Sequence, residues 1–409
     1  MSAEARTRQD AGGTVHTFAN APLMGYGIAL RMSEIPKKIS GSGRRRWGRW
    51  LIALSALALI VTGCRSVGYY KQAAAGQWQI FSKREEIVNV LRQPDTRPAL
   101  REKLELILAL RDYAERELKL KPDGHYTSYA DLGRRYVVWN VYAAPEFSLE
   151  PKKWWYPVVG SLKYRGFFNE AEARAYGDQL TREGYDVCVG GVEAYSTLGF
   201  FKDPVLNTFI HHDEANLAEL LFHELSHQRV FAKGDTDFNE AFATTAGEEG
   251  ARRWMNSRGD TAARTRYEQE LRRKDQFVAL IMGARERLKE VYGEESAHGP
   301  RLIEKPGSEQ LVATKRARKR AVIDQLQRDY EQLKAKWGGD TSYDRWFSRS
   351  LNNAQLNTVS TYYNMVPALT HLLARHDGDL EKFYAECKAL AHLTKEQRSA
   401  ELEKFEAPR

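Results

Sequence analysis

The string Phe222-His223-Glu224-Leu225-Ser226-His227-Gln228 concentrates the reactive chemistry of the chain. Four residues advance a helix by about 400°, so His223 and His227 lie one turn apart on one face, where both imidazoles can grip a single tetrahedral zinc ion. Glu224 is turned about 100° from that line. It stands beside the ion, placed to take a proton from a water that the metal has acidified. The bland alternative is a helix with two unrelated histidines, in a chain that has ten.

A catalytic zinc needs a third protein ligand and an open fourth position. Asn239-Glu240-Ala241-Phe242-Ala243 offers Glu240, seventeen residues after His223. Gly234 and the Asp235-Thr236-Asp237 turn let the second helix fold back on the first. Glu240 also has a structural reading, because Asp237 and Glu240 form the D-x-x-E of a capping box, and it can ligate only if its carboxylate leaves the cap. Glu248 and Glu249 are poorer ligands, about 12 Å further along the same helix. One zinc ion per chain is expected.

The elements that must carry these residues follow from periodicity. Tyr136 to Tyr142 and Trp154 to Phe168, aromatic and β-branched, read as strands, and so does Tyr185 to Val192. A helix is expected between them, over about Asn169 to Glu183. Asp213 is a plausible N-cap for a helix from Glu214 to Phe231, and Asp237 for another from Phe238 to Ser257. Further helices are expected over Ala262–Tyr292, Gln310–Trp337, Asn352–Arg375 and Gly378–Leu393. The fold class is therefore α+β, a small mixed β-sheet followed by a mainly helical zinc-binding part. Sheet-rich residues 130–212, zinc helices 213–257 and C-terminal helices 262–409 make up one domain over 96–409.

The composition, 42% hydrophobic and 28% charged over 409 residues, excludes a disordered, collagen-like or coiled-coil chain. The net charge of +8 suggests an anionic partner until it is located: residues 1–64 carry nine Lys/Arg against three Asp/Glu, +6 of the total. The run Lys315-Arg316-Ala317-Arg318-Lys319-Arg320 reads as a solvated helix face, with Asp324, Asp329 and Glu331 close behind, so no nucleic acid partner is expected. Arg44, Arg45, Arg46 and Arg49 precede the apolar stretch Leu51 to Val61, the layout of a secretory signal. That stretch is too short to span a bilayer permanently. Residues 1–63 are expected to be removed, with the leader overlong before Arg44 and translation expected to start at Met24 or Met32, and 64–95 to form a tether.

Val61-Thr62-Gly63-Cys64 resembles the lipobox of bacterial lipoproteins, which implies an acylated Cys64. Arg65 after it, where an inner-membrane lipoprotein has aspartate, implies the outer membrane, facing the periplasm. Whether the remaining Cys188 and Cys387 pair is left open.

HELSHQ followed by NEAFA resembles the HExxH and NEGFA pair of the gluzincin metallopeptidases, especially the aminopeptidase N type, with a spacing shorter by a couple of residues. A closer resemblance is to the bacterial predicted-aminopeptidase lipoproteins. It runs through Gly63-Cys64 with Gly68-Tyr69-Tyr70, Trp139 to Glu146, Trp154-Trp155-Tyr156-Pro157 and Tyr164-Arg165-Gly166-Phe167-Phe168. It continues through Ala194 to Gly199, HELSHQ, Asn352-Asn353-Ala354, Thr361-Tyr362 and Val366-Pro367-Ala368. Cysteines common in that family are replaced here by Trp155 and Ser161. The resemblance implies a lipid-anchored aminopeptidase acting on peptides, with Tyr362 donating to the oxyanion. Tyr195 competes for that role, and a core tyrosine is the plain alternative. Glu193 in Gly190-Gly191-Val192-Glu193-Ala194 is similar to the amine-binding glutamate of the GxMEN motif, though Met and Asn are missing; a surface glutamate is its alternative. The rival functions are a membrane-anchored zinc endopeptidase and a non-catalytic envelope lipoprotein. The oligomeric state is not legible.

Overall fold

The computed structural model describes residues 19–20, 68–156, 160–197, 201–293 and 308–405. The signal segment and Cys64 lie outside the described residues, as does the break at 294–307. A two-residue strand β1 (Ala19–Asn20) precedes helix α1 (residues 68–82), strand β2 (Arg84–Glu86), and helices α2 (Ile87–Arg92) and α3 (Pro98–Arg116). Strands β3 (Ser128–Ala130), β4 (Val138–Pro145), β5 (Trp154–Tyr156), β6 (Gly160–Leu162) and β7 (Arg165–Phe167) follow. Next come α4 (Glu170–Arg182), β8 (Tyr185–Val192), β9 (Tyr195–Ser196) and β10 (Val205–Leu206). The remainder is helical: α5 (Glu214–Ser226), α6 (Thr236–Arg258), α7 (Thr261–Tyr292), α8 (Ser308–Lys336), α9 (Asp344–Phe347), α10 (Asn353–Tyr363), α11 (Val366–Arg375), α12 (Leu380–Ala391) and α13 (Lys395–Glu403). The class is α+β, with small sheets of two or three strands ahead of the helices. Among the described residues no helix is long and apolar enough to cross a membrane.

β4 is the central strand of an antiparallel sheet, ordered β7-β4-β8 and running in register from Val138 opposite Val192 to Pro145 opposite Tyr185. Its residues are almost all buried, as a strand covered on both faces requires. One cover is α4, which can lie close because a side chain at Gly177 would come 2.9 Å from Val189. Another is α10, fixed by the two asparagines at its start. Asn352 caps the helix by accepting from the Gln355 N–H, and its amide donates to the Val187 carbonyl at 2.9 Å. The Asn353 amide donates to the carbonyls of Pro145, Glu146 and Ser148, just past the end of β4. The basic run on α8 is a largely exposed face, as expected, from which Arg316 pairs with Glu146 just past β4 and Lys319 with Asp186 of β8.

Several expected boundaries move. From Tyr69 onward the segment read as a tether is packed: Tyr69, Ala73, Ile80, Ile87 and Val90 belong to the main core. The helix expected over Asn352–Arg375 is two helices, because Pro367 sits in the first turn of α11 and could not donate within a continuous helix. The helix expected to reach Phe231 stops at Ser226. Cys188 and Cys387 are buried and not bridged.

The decisive contact is α5 against α6. A Cβ at Gly247 would stand 2.8 Å from the Glu219 carbonyl oxygen and 3.1 Å from the His223 Cβ; at Gly250 it would stand 2.7 Å from the Phe222 ring. These two glycines let α6 approach the backbone of the histidine helix. At the far end of the chain Arg398 donates to Asp235 at 2.7 Å and to the Leu390, Ala391 and Leu393 carbonyls, tying α12 and α13 to the start of α6. Replacing a mid-helix glycine by alanine ordinarily stabilises by about 1 kcal/mol. Gly247→Ala is expected to do the opposite and cost about 1–3 kcal/mol through overpacking against an unyielding carbonyl. Gly283→Ala on α7, where nothing lies within 4 Å, is the control and is expected to stabilise. Urea unfolding of the two variants checks the contrast.

Candidate metal centre

Asp213 caps α5 as expected, its carboxylate accepting from the Asn216 N–H at 2.9 Å. All but the first turn of α5 is buried, so His223 and Glu224 are held inside the protein. His227 is the C-cap of α5 and keeps right-handed helical geometry, which preserves its position one turn after His223. The chain then turns back, with the Arg229 N–H donating to the Ser226 carbonyl at 2.8 Å and Gly234 at φ +78°. Asn239, the first residue of the NEAFA string, pins this link by accepting from the Ala232 N–H and donating to its carbonyl.

The cap of α6 differs from expectation. Asp235 accepts from the Phe238 N–H, whereas Asp237 lies within the helix and pairs with Lys163. The D-x-x-E box between Asp237 and Glu240 therefore does not form. Glu240 faces the histidines instead.

His223 Nε2 lies 3.2 Å from His227 Nε2 and 3.4 Å from Glu240 Oε2, and His227 Nε2 lies 3.8 Å from that same oxygen. A tetrahedral zinc site with bonds of about 2.0–2.1 Å has ligand–ligand edges of about 3.3 Å. The triangle is within about half an ångström of that shape. Burial lowers His223 to about 3, while Glu219 opposes the shift. Burial also lowers His227 to about 4, with Glu240 opposing. Both rings are thus neutral near pH 7, the state in which imidazole ligates. Two imidazole nitrogens and one carboxylate oxygen fit zinc with a fourth position left open.

Glu224 is buried, and burial together with the charges of Glu240 and Asp203 raises its carboxyl well above the usual range, slightly offset by the Ser196 hydroxyl. Tyr362 is buried near the same carboxylates, and burial and Glu240 keep its phenol firmly protonated. It shares a hydrogen bond with Tyr142 of β4. The structure therefore gathers His223, His227, Glu240, Glu224 and Tyr362.

Glu193 and Tyr195 have partners outside the donor triangle. Glu193 Oε2 is 2.9 Å from His212 Nε2, and with His211 the pair makes a separate cluster just ahead of the α5 cap. That cap is ten residues, about 15 Å of helix, from His223. The Tyr195 hydroxyl donates to Gln77 of α1 at 2.9 Å, and its ring packs on Phe168.

The sequence reading missed the neighbours of Glu224. Asp203 accepts from the Thr197 N–H and hydroxyl and lies 3.4 Å from His125. Tyr126 has φ +57°, a conformation costly for a bulky residue, and its N–H donates to the Asp203 carbonyl at 2.7 Å. Burial raises its phenol, and Glu224 adds to the rise. Of this neighbourhood the sequence reading marked only Ser196 and Thr197, within Ala194 to Gly199, and no spacing rule ties Asp203 to Glu224.

No curated protein and no solved structure matches the chain. A family model described as "Putative aminopeptidase" matches residues 68–402, which takes in every helix and strand around the centre. The chain belongs to that aminopeptidase family, and the match supports a peptidase.

Proposed function

We propose that the protein is a zinc-dependent aminopeptidase that removes N-terminal residues from peptides and is anchored to a bacterial envelope membrane through an acylated Cys64. The observation that carries the metal reading is the donor triangle of His223, His227 and Glu240, with Glu224 buried beside it. A zinc ion held there supplies Lewis-acid polarisation of the scissile carbonyl and lowers the pKa of a water molecule. Glu224 takes the proton of the attacking water and passes it to the leaving amine, work suited to a carboxyl that burial and the neighbouring Glu240 make a stronger base than an exposed one. Tyr362 donates a hydrogen bond to the oxygen that gains charge in the transition state. Its burial on α10 against Tyr142 keeps that donor in a fixed position. The lipobox-like segment and the basic, apolar leader support the anchored, envelope location, with the outer membrane favoured by Arg65.

One observation favours a zinc endopeptidase as a second reading. An exopeptidase needs a carboxylate for the substrate's free amine, and Glu193, the residue expected to provide it, is held by His212 in another cluster.

Glu224→Gln is expected to bind zinc in the same one-to-one amount as the parent and to lose hydrolysis by about 10²–10⁴-fold. Metal analysis beside a peptide assay checks this, and a fully active variant removes the mechanism. Tyr362→Phe is expected to lower kcat by about 10²–10³-fold with little change in KM, as loss of one oxyanion donor does. Peptides with free and with acetylated N-termini separate the two readings: cleavage of free peptides alone supports an aminopeptidase, and equal cleavage of both supports the endopeptidase.

A further inference from the structure

Helix α1 is bound to the fold on one side and is bare and nearly uncharged on the other. Each residue turns the helix by about 100°, so the buried Tyr69, Ala73, Gly76, Gln77 and Ile80 form a single face. That face is fixed. Gln72 accepts from the Phe168 N–H at 2.8 Å, the Tyr195 hydroxyl donates to Gln77 at 2.9 Å, and a Cβ at Gly76 would strike the Phe168 ring. The exposed residues past Gly68, which are Tyr70, Lys71, Ala74, Ala75, Trp78 and Ser82, fall in one stripe about 140° wide on the other side. Trp78 is 70% exposed and Tyr70 41%. The outer face of a surface helix ordinarily carries charge, and at the chain's 28% charged residues α1 would hold about four. It holds one, Lys71, and no carboxylate. Strand β5 sets a second bare tryptophan near the first turn of α1: the Tyr156 and Tyr69 hydroxyls are 3.4 Å apart, and Trp155 beside Tyr156 is 70% exposed.

What covers this stripe follows from where the helix starts. Gly68 comes four residues after Cys64, and a chain of that length reaches at most about 14 Å. An acyl group on Cys64 therefore holds α1 within that distance of a bilayer. Contact between the stripe and lipid is then intramolecular, so even a small face engages. Its chemistry is that of the boundary between lipid and water: tryptophan and tyrosine rings settle at headgroup level, and a lysine is drawn to anionic phosphates that would repel a carboxylate.

Resting on the acylated Cys64 of the reading above, we propose that α1 lies along the membrane surface, with Tyr70, Ala74 and Trp78 in the headgroup layer of a phospholipid bilayer. The protein is then held by a face as well as by a tether. Lipid fixes its orientation, and the side of the fold packed on α1 is the side turned to the bilayer.

The test uses the full chain, matured and acylated, in vesicles of phosphatidylethanolamine and phosphatidylglycerol. Ala74→Cys places a thiol between Tyr70 and Trp78 for a nitrobenzoxadiazole label, and Cys188 and Cys387 are buried, so they do not compete. Ala262→Cys, exposed in the first turn of α7, is the control, and Ser82→Cys reads the same stripe if Ala74→Cys does not fold. The label at position 74 is expected to shift to shorter wavelength and to be quenched about twofold by nitroxide-bearing lipids, while the label at 262 stays in water. Adding Trp78→Glu is expected to return the label at 74 to water; if it stays quenched, the tether alone accounts for the contact and the proposal falls. A water-like spectrum at 74 in a chain whose mass includes the acyl group overturns the proposal and leaves the anchor standing. A blue shift that lipid nitroxides do not quench also overturns it, because protein then covers the face, either a second copy or a segment of this chain outside the described residues. A chain that carries no acyl group overturns the anchor and this proposal together.

Discussion

The close crossing of α5 and α6 is the constraint from which the site follows. A helix can place two imidazoles on one ion by itself, but the third ligand must come from another backbone at a fixed distance. Gly247 and Gly250 provide the approach, the first against the carbonyl of Glu219 and the second against Phe222. The ring nitrogens and the Glu240 oxygen then fall 3.2 to 3.8 Å apart. Alanine in place of either glycine has the higher helix propensity. Packing therefore outweighs propensity here, and the cost is accepted at the two positions that face the histidine helix.

That crossing brings unfavourable electrostatics with it. Burial, Glu240 and Asp203 raise the pKa of Glu224 in a dry interior, and burial lowers both histidines far below their usual range. Neutral imidazoles beside crowded carboxylates are a poor arrangement for a protein alone and a good one for a cation. The αL backbone at Tyr126 is a further strain within the same neighbourhood. Energy that a packed core would gain from apolar residues has been given up locally, and the long apolar faces of α7, α8 and α10 in the second core cluster supply stability elsewhere.

What the sequence disclosed follows the range of the interaction concerned. His223 and His227 are one helical turn apart, so a period of 3.6 suffices to place them, and the Asp213 cap is equally local. Strand β8 was legible to the residue because alternating and β-branched residues between a helix end and a turn leave few other registers. The Asp235 cap was misplaced by two residues because either aspartate satisfies the cap pattern. The choice is made by partners remote in sequence: Lys163 draws Asp237 away, and Arg398 holds Asp235. Glu240 was recognised, yet its release from the capping box depends on that same choice. The packing of α1 and the neighbours of Glu224 join residues tens of positions apart. No local pattern announces them.

The sheet contributes to the site through α10. Tyr362 is useful as a donor only if its hydroxyl is held where charge develops, and misplacement of a reacting group by about 1 Å can cost about two orders of magnitude in rate. Asn352 and Asn353 fasten the start of α10 to the carbonyls at the end of β4 and to β8, and Tyr142 of β4 meets Tyr362 near its other end. The tyrosine is therefore positioned by β4 and β8, while His223, His227 and Glu240 are positioned by α5 and α6. The register of β4 against β8, fixed over eight residue pairs, thereby becomes a condition on the geometry of the centre. On the proposed mechanism, a small sheet that supplies none of the donor triangle has a reason to be rigid.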